Sequence, residues 1–204
     1  SCRIAKLKGA SLVIGVDDVP ERLAAAEAWG VHTMNYRKLG ARLGEAVKIH
    51  TGGRGADAVI EAVGMESHGI ALQTAAHSMT QKLPSMISEP ILERYGFDRM
   101  AAFNQAVDCV RRGGTISLAG VYVGMADPLP MMVLFDKQVQ LRMGQANVRR
   151  WDDDLMPIVT ADEDHLGLED FASHRLPLSD APDAYATFQE KKDGAFKIVL
   201  RPHG

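Results

Sequence analysis

A carboxylate at the end of an apolar run is the side chain of this sequence best placed for binding chemistry. The run LVIGVD (12–17) ends in Asp17, and Pro20 follows closely. A short β-branched run bounded by Gly9 and a helix-start signal indicates a buried strand, and ligands of open α/β sheets bind where such strands end. In a dinucleotide-binding fold, an acid at the tip of the second strand accepts hydrogen bonds from the adenine-ribose hydroxyls. Asp17 is therefore our candidate for ribose binding.

The glycines of the sequence do not supply the turn that should bind a pyrophosphate. That turn normally lies about twenty residues before the acid, between the first strand and the first helix. Only residues 1–7 precede Lys8 and Gly9 here, so we expect the chain to begin inside the first helix, without the first strand and its G-x-G-x-x-G. The cluster TGGRG (51–55) precedes a predicted strand, whereas an anion needs the N–H groups of a helix start. We interpret 51–55 as a helix-to-strand turn.

Helices and strands alternate in the first part of the chain. After Asp17 we expect a helix that begins at Asp18 or Val19, with Pro20 in its first turn and Gly30 at its end. Further expected elements are a strand at 31–36, a helix at 44–50 and a strand at 58–63. This β-α-β-α-β alternation predicts an α/β fold with a doubly wound, parallel, Rossmann-like sheet and helices on both faces.

The later part of the chain continues this pattern after an interruption. Residues 64–98 are longer than an ordinary crossover, and we expect an insertion of mixed helix and loop there. A helix should follow, with Arg111 and Arg112 in its last turn and an apolar face formed by Phe103, Ala106, Val107 and Val110. Strands are expected at 115–122 and 139–143. Both finish in glycine, which suits close approach of the backbone to a ligand.

The C-terminal quarter predicts smaller elements. Residues 152–154 should begin a helix, and 174–178 should form a short strand. Ser179 or Asp180 should cap a second helix, and 196–200 should form the last strand. The face of that second helix is expected to carry Ala181, Ala184, Tyr185 and Phe188.

Length and composition exclude several classes of protein. At 204 residues the chain can bury roughly 70% of its unfolded surface. A formal net charge of -3 without a basic cluster gives no electrostatic case for nucleic acid or an anionic membrane. No apolar run approaches a membrane span, and the two cysteines, Cys2 and Cys109, form no C-x-x-C pair. We expect a cytoplasmic protein with reduced thiols.

The histidines and acidic runs do not predict a metal site within this chain. No pair of the seven histidines has zinc-ligand spacing with a third ligand nearby. The acidic runs at 152–154 and 162–164 lack the spaced ligands and the glycine of a calcium loop. We interpret them as charges near helix starts.

A series of short motifs extends along almost the whole chain. In its order and content the series resembles the medium-chain, zinc-dependent alcohol dehydrogenase family, most closely its formaldehyde-dehydrogenase-like branch, and it covers the C-terminal, coenzyme-binding portion of that family. The motifs are VIGVD (13–17) with PERL (20–23), TGGRGAD (51–57), EAVGME (61–66), RGGT (112–115), GVY (120–122), DK (136–137) with LRMGQ (141–145), and APDAY (181–185) with KIVL (197–200).

The resemblance implies NAD as the coenzyme, with Asp17 on the adenine ribose and Arg22 beside the adenine. A carboxylate at the position where NADP carries its 2′-phosphate would repel that phosphate, and Asp18 adds to the repulsion. Lys197, just before the last strand, would reach the pyrophosphate. The adenosine side would be lined by Ala62, Val63 and Gly64. Main-chain groups after two later strands would hold the nicotinamide carboxamide, namely those of Gly120, Val121, Tyr122, Gly144, Gln145 and Ala146.

The resemblance also implies that other parts of the family's machinery precede Ser1, including the zinc ligands, the proton-relay residues and the glycine-rich loop. Residues 1–148 then form an N-terminally incomplete NAD-binding domain, and 149–204 return to an absent catalytic domain. We expect the chain alone to be inactive, with zinc and a small alcohol or aldehyde substrate only in the full-length context. Family dimers pair strands of their coenzyme domains, so we expect a homo-oligomer formed through the region 115–143.

Simpler interpretations of the individual residues stay open. Asp17 could cap the following helix, Arg22 could be an exposed first-turn residue, and Lys197 could be a solvated edge-strand lysine. Tyr122 could donate a proton or pack near the nicotinamide. Two other functions also stay open. One is a catalytically inactive remnant that at most binds NAD or oligomerises, and the other is a methyltransferase, which also holds a ribose with an acid after its second strand.

Overall fold

The computed structural model describes residues 1–63, 100–122, 129–168 and 170–203. Every strand pairing among these residues is parallel, and helices connect the paired strands, as predicted for a Rossmann-like α/β fold. The strands form three separate sheets, with the orders β1-β2, β3-β4-β5 and β6-β7. Nearly all of the predicted insertion at 64–98 lies outside the described residues. No helix in the described ranges is long and apolar enough to cross a membrane.

The chain divides into two compact units. One contains Ser1–Leu39 together with Asn147–Gly204, and the other contains Gly40–Ala146. This division groups the first two strands with the C-terminal segment. The boundary after residue 148 that the sequence suggests stays a prediction.

The N-terminal part of the first unit has the predicted elements. Helix α1 (Cys2–Leu7) precedes β1 (Ile14–Asp17), α2 (Pro20–Glu27) and β2 (His32–Asn35), and β1 and β2 pair from Ile14↔His32 to Asp17↔Asn35. Pro20 lies in the first turn of α2. N–H groups of a first turn have no acceptor within the helix, so the N–H that proline lacks costs no hydrogen bond. Gly30, at φ +68°, closes the helix, and its N–H donates to the Glu27 carbonyl. Asp17 is therefore the last residue of a strand and lies just before a helix.

The C-terminal part of the first unit contains α7 (Val148–Val159), β6 (His174–Pro177), α8 (Ala181–Gln189) and β7 (Ile198–Arg201). The prediction for the start of α7 was wrong. Asn147 caps this helix by accepting a hydrogen bond from the N–H of Arg150, and the acids at 152–154 lie in its middle. The expected apolar face of α8 is only partly confirmed, because Ala184 is buried but Tyr185 is 72% exposed.

The second unit is built on β3 (Ala56–Glu61), β4 (Val110–Leu118) and β5 (Gln140–Met143). Helices α3 (Tyr36–Leu39, in the first unit) and α4 (Leu43–His50) precede β3, whereas α5 (Ala101–Cys109) and α6 (Met131–Lys137) flank β4 along the chain. One apolar core holds the unit together. Its buried members are Met100, Phe103, Ala106, Val107, Val110, Ile116 and Leu134.

The junction between α5 and β4 differs from the sequence prediction. Helix α5 ends at Cys109, and Val110 already has extended backbone angles, so Arg111 and Arg112 lie in the strand. Ala56 pairs with Val110 but Ala58 pairs with Thr115, which leaves a bulge on β4. Gly114 lies in this bulge, where a Cβ atom would be 2.6 Å from a methyl group of Val110. This close approach depends on long-range strand pairing, which local sequence patterns do not report.

Strand β4 also ends earlier than predicted. It stops at Leu118, so Gly120, Val121 and Tyr122 follow the strand and do not belong to it. The backbone of these three residues is therefore outside the β ladder. Just after the strand, the N–H groups of Ala119 and Gly120 donate to the Glu61 carbonyl at 2.8 and 3.0 Å.

Candidate functional site

The carboxylate of Asp17 is held at the tip of β1. Its Oδ1 accepts hydrogen bonds from the N–H groups of Asp18 at 2.8 Å and Val19 at 3.0 Å. Val19 is the N-cap of α2 and has no side-chain capping bond, so Asp17 fixes the turn before the helix and does not cap the helix itself. Its side chain is 31% exposed. The turn thus orients the carboxylate, and the side chain stays partly exposed.

Arg22, which the resemblance assigns to the adenine, lies beside this carboxylate. Its Nη1 is 3.7 Å from Asp17 Oδ2, and the arginine side chain is about as exposed as the aspartate. The two residues come together because Arg22 lies in the first turn of α2, directly after the turn that Asp17 holds. A ligand with hydroxyl groups and a planar ring would find here an acceptor and a cation side by side.

Asp18 is paired with two cations that the sequence did not suggest. Its Oδ2 is 2.5 Å from Arg37 Nε, and its Oδ1 is 3.8 Å from Lys191 Nζ. Burial raises the pKa of Asp18, but the hydrogen bond from Arg37 and the charges of Lys191 and Arg37 outweigh it, so the pKa lies below its usual range. Asp18 is therefore charged but largely neutralised, and adds less to the repulsion of an anion than its sequence position suggests.

The ends of β3, β4 and β5 lie at one edge of the second unit. Glu61 pairs with Leu118, and Leu118 pairs with Met143, so the three strands end level with one another. Because the strands are parallel, the segments after them meet at this edge. The predicted residues found there are Ala62 and Val63, Gly120 and Val121, and Gly144, Gln145 and Ala146; Gly64 lies outside the described residues.

Glu61 is a buried carboxylate at this edge that the sequence analysis did not select. It is 4% exposed and is the last residue of β3. Its Oε1 accepts a hydrogen bond of 2.6 Å from the N–H of Val63. Its main-chain carbonyl accepts hydrogen bonds from the N–H groups of Ala119 and Gly120, which follow β4. Glu61 thus fixes the segments that follow both strands. The sequence pattern that could have identified Glu61 is the one that identified Asp17, an acid at the end of an apolar strand.

Tyr122 occupies the inner side of the same edge. Its ring packs against the core of the second unit, and its hydroxyl is buried. Burial raises the pKa of Tyr122, and the neighbouring Glu61 carboxyl raises it further. The phenol therefore stays protonated at neutral pH, and its surroundings favour packing over proton transfer.

Lys197 lies in the first unit, at the residue before β7. Its carbonyl accepts hydrogen bonds from the His174 N–H at 3.2 Å and the Ser173 hydroxyl at 2.9 Å, and its side chain is exposed. The structure thus places Asp17, Arg22 and Lys197 in the first unit. The other predicted contact residues belong to the second unit.

The described residues contain no group of three or more histidine, cysteine, aspartate or glutamate side chains that could hold a metal ion. A zinc ion therefore has no fitting ligand set in the ranges that the structure describes. The two thiols do not alter this, because both Cys2 and Cys109 are free, and burial raises the pKa of Cys109 to about 11.

Comparison with known proteins identifies the family. The family described as zinc-binding dehydrogenase matches residues 1–82. A zinc-type alcohol dehydrogenase-like protein of Bacillus subtilis is 35% identical over 197 residues, which are 96% of this chain and 47% of that protein. The chain is a coenzyme-binding region of the zinc-type alcohol dehydrogenase family. This coenzyme-binding region is also 29% identical to the formaldehyde dismutase of Pseudomonas putida, over 98% of the chain and 47% of the dismutase.

Solved structures support the same fold. An alcohol dehydrogenase from Thermus sp. ATN1 is similar with a TM-score of 0.68 and 27% identity, over 98% of this chain and 47% of that one. A zinc-dependent alcohol dehydrogenase from Streptococcus pneumonia has a TM-score of 0.72 at 19% identity, over 100% of this chain and 48% of that one, which shows the fold alone. The coenzyme-binding region spans about half the length of the curated relatives it matches.

Proposed function

We propose that this chain is the coenzyme-binding portion of an NAD-dependent alcohol or aldehyde dehydrogenase. In the full-length protein it would hold NAD while hydride passes from an alcohol or a hydrated aldehyde to the nicotinamide. The observation that carries this proposal is the geometry of Asp17 at the tip of β1. One oxygen of its carboxylate is held by two N–H groups, the other lies 3.7 Å from Arg22 Nη1, and the side chain is partly exposed.

The donor and acceptor groups around Asp17 fit an adenosine. A carboxylate accepts hydrogen bonds from both hydroxyls of an unmodified ribose, and its charge opposes a phosphate on the same sugar. The guanidinium of Arg22 offers a flat cationic surface against which an adenine ring stacks. These features favour NAD over NADP as the coenzyme.

The nicotinamide half of the coenzyme is assigned to the edge where β3, β4 and β5 end. A carboxamide needs main-chain donors and acceptors that no β ladder uses. Gly120 and Val121 follow β4, and Gly144, Gln145 and Ala146 follow β5, all beyond the ends of the paired strands. The N–H of Gly120 donates to the Glu61 carbonyl, so Gly120 would contribute its own carbonyl. Lys197 supplies a positive charge for the pyrophosphate. Ala62, Val63 and Gly64 complete the proposed contact set on the adenosine side.

The substrate class rests on relatives of this region. Proteins named as a formaldehyde dismutase and a glutathione-independent formaldehyde dehydrogenase are 29% and 27% identical to it, which supports a short aldehyde hydrate as one substrate of the full-length protein. A zinc ion bound in the full-length protein would supply Lewis-acid chemistry to the substrate oxygen. The described residues offer no ligand set for that ion, so we assign none of them to the zinc site.

Oligomer formation is a further part of the proposal. Within the described residues β5 is the last strand of its sheet and pairs only with β4, and we assign the contact with a second copy to its other edge. Met143 on β5 and Phe135 on the preceding helix are both largely exposed. A strand edge with exposed apolar side chains beside it favours association with a second copy. Light scattering after size exclusion should therefore give twice the mass of the single chain.

Binding of NADH tests the proposal. We expect a saturable calorimetric titration of the 204-residue chain, which Asp17→Asn weakens by about tenfold or more because a charged hydrogen bond is lost. Asp153→Asn, an exposed acid of α7, is the matched control and should leave the affinity unchanged. Equal affinity in Asp17→Asn would contradict the site. Absence of binding by a folded chain would favour the inactive remnant, and selective binding of S-adenosylmethionine would favour the methyltransferase.

A further inference from the structure

The hydroxyl of Ser173 organises the backbone from which the Lys197 side chain extends. Its Oγ donates to the Lys197 carbonyl at 2.9 Å and accepts hydrogen bonds from the N–H groups of Phe196 and Lys197, both at 3.1 Å. These residues lie just before the pairing of β6 with β7, which begins at His174↔Ile198. One side chain thus bonds three main-chain groups at the position where the lysine leaves the backbone.

The bonding capacity of this hydroxyl is used within the chain. A serine oxygen carries one proton and two lone pairs, and the main-chain groups of Phe196 and Lys197 occupy all three. The Nδ1 atom of His174 also lies 3.1 Å from the same oxygen. Ser173 therefore acts on its neighbours, and its effect on a ligand passes through them.

Aromatic contacts hold the same two segments together. Phe171, two residues before Ser173, meets Phe196 edge to face, with the ring centroids 6.2 Å apart. The Arg3 guanidinium lies 5.1 Å from the centre of the Phe171 ring and donates to the two carbonyls of 166–167, at 2.7 Å each. The segment that carries Ser173 is therefore anchored independently of the hydroxyl, so a variant without the hydroxyl should keep this segment in place.

We propose that Ser173 is a positioning residue for the diphosphate of the coenzyme and that it acts by fixing the main chain of Lys197. This inference rests on the proposed function, which assigns Lys197 to the pyrophosphate. Lysine carries its ammonium group on a long flexible stem, and ordering that stem on a ligand costs side-chain entropy. With the main chain already fixed, only the exposed side chain remains to be ordered when the phosphates bind. The hydroxyl of Ser173 thus lowers the entropic cost of the lysine–phosphate contact.

Adenosine and adenosine 5′-diphosphate test this inference, because only the second carries phosphates. Calorimetric titrations of the 204-residue chain give, for each variant, the dissociation constant of adenosine divided by that of the diphosphate. This phosphate ratio measures what the phosphates contribute to binding. We expect Lys197→Met to lower the ratio by about tenfold, the scale of one charge-assisted contact. Ser173→Ala should lower it by about three- to fivefold and should change the affinity for adenosine by less than about twofold.

Three further variants separate positioning from a general loss of structure. Ser173→Thr keeps a hydroxyl and should return the phosphate ratio to within about twofold of the parent. Adding Ser173→Ala to Lys197→Met should change the ratio by less than about twofold, because the lysine through which Ser173 acts is then absent. Ser179→Ala, at an exposed serine whose hydroxyl donates to Asp180, is the matched control and should leave both affinities unchanged.

The outcomes distinguish the inference from the function on which it rests. If Lys197→Met lowers the phosphate ratio but Ser173→Ala does not, the proposed function stands and the positioning role is wrong. If Ser173→Ala weakens both ligands equally, or still lowers the ratio without Lys197, its role is structural only and the inference is wrong. If the diphosphate binds and Lys197→Met has no effect, the inference fails while the ribose site stands.

A folded parent chain that binds neither ligand would overturn both proposals. Circular dichroism verifies folding. Ser173→Cys, in which a weakly bonding thiol replaces the hydroxyl, takes the place of Ser173→Ala if that variant does not fold, with the same expected ratio.

Discussion

The carboxylate of Glu61 accepts a hydrogen bond from the N–H of Val63, two residues further along, at 2.6 Å. The main-chain carbonyl of the same residue accepts hydrogen bonds from the N–H groups of Ala119 and Gly120. Glu61 therefore fixes the start of two of the three segments at this edge to which we assign coenzyme contacts, those after β3 and β4. The shape of this edge depends on Glu61, although Glu61 need not touch the coenzyme.

Substitution of the Glu61 side chain should lower stability through the Val63 bond, because the bonds from Ala119 and Gly120 go to the main-chain carbonyl and survive. Glu61→Gln keeps an oxygen acceptor for Val63 and should cost about 1 kcal/mol. Glu61→Ala loses the acceptor and leaves a cavity, and it should cost about 2 to 3 kcal/mol of unfolding free energy. Urea denaturation gives both values. Glu190→Ala, at an exposed acid that pairs with Lys192, serves as the control and should change stability by under about 0.5 kcal/mol. Equal losses in all three variants would exclude the proposed role.

The glycine turn at 51–55 offers a matched pair of substitutions. Gly55 has φ +93°, and a Cβ atom there would lie 2.8 Å from the Cys109 carbonyl oxygen; Gly52 has φ +62° and nothing within 4 Å of such an atom. Gly52→Ala should cost only the backbone strain, about 1 kcal/mol, whereas Gly55→Ala should cost about 2 to 4 kcal/mol because the clash adds to the strain. Urea midpoints compare the two variants. A larger loss for Gly52→Ala would contradict the close packing of this turn against α5.

The ion pairs of Asp18 make a contribution to stability that depends on pH. The pKa of Asp18 is lowered in the folded chain, so the unfolded chain binds this proton more readily. The stabilisation is therefore present above the ordinary carboxyl pKa, near 4, and is lost as the pH falls through the lower folded value. The unfolding free energy of the parent minus that of Asp18→Asn should be constant from about pH 7 to 5 and should shrink below about pH 4. A difference that stays constant down to pH 2.5 would contradict the pairing.

The two thiols should react at very different rates. Burial raises the pKa of Cys109 to about 11, with the charge of Asp108 adding to the effect, whereas Cys2 is only half-buried. A disulfide reagent at pH 8 should therefore label Cys2 quickly and Cys109 only when the chain unfolds, since the thiolate is the reactive form. Cys2→Ser should remove the fast phase and leave the slow one. Rapid labelling of Cys2→Ser in the absence of denaturant would show that Cys109 is accessible.

The elements that the sequence predicts well are those with strong local signals. The β-branched run before Asp17, Pro20 at the start of α2 and Gly30 at its end specify β1 and α2 without help from distant residues. The turn at 51–55 was confirmed for the same reason, because its glycines have positive φ values. Local backbone preferences decide these elements.

The predictions that were wrong depend on distant contacts. Helix α5 ends before Arg111 because β4 pairs with β3 from Val110 onwards, and the bulge at Gly114 follows from that pairing. The pairing of Asp18 with Lys191 joins opposite ends of the chain, so no local pattern contains it. Asp17 and Arg22 could be chosen as candidates from the sequence because they are five residues apart, whereas the cations beside Asp18 became visible only in the folded chain.

We propose that NAD contacts the residues that follow β1 and those that follow β3, β4 and β5. Amide chemical-shift mapping tests this most directly. A nitrogen-15-labelled chain is titrated with NADH, and the same titration is repeated with Asp17→Asn. We predict saturable shifts for the amides of Asp18 and Val19 after β1, of Val63 after β3, and of Gly120 and Gly144 after β4 and β5, all reduced in Asp17→Asn. A folded chain whose amides do not shift, or whose shifts are confined to helix α7, would contradict the claim.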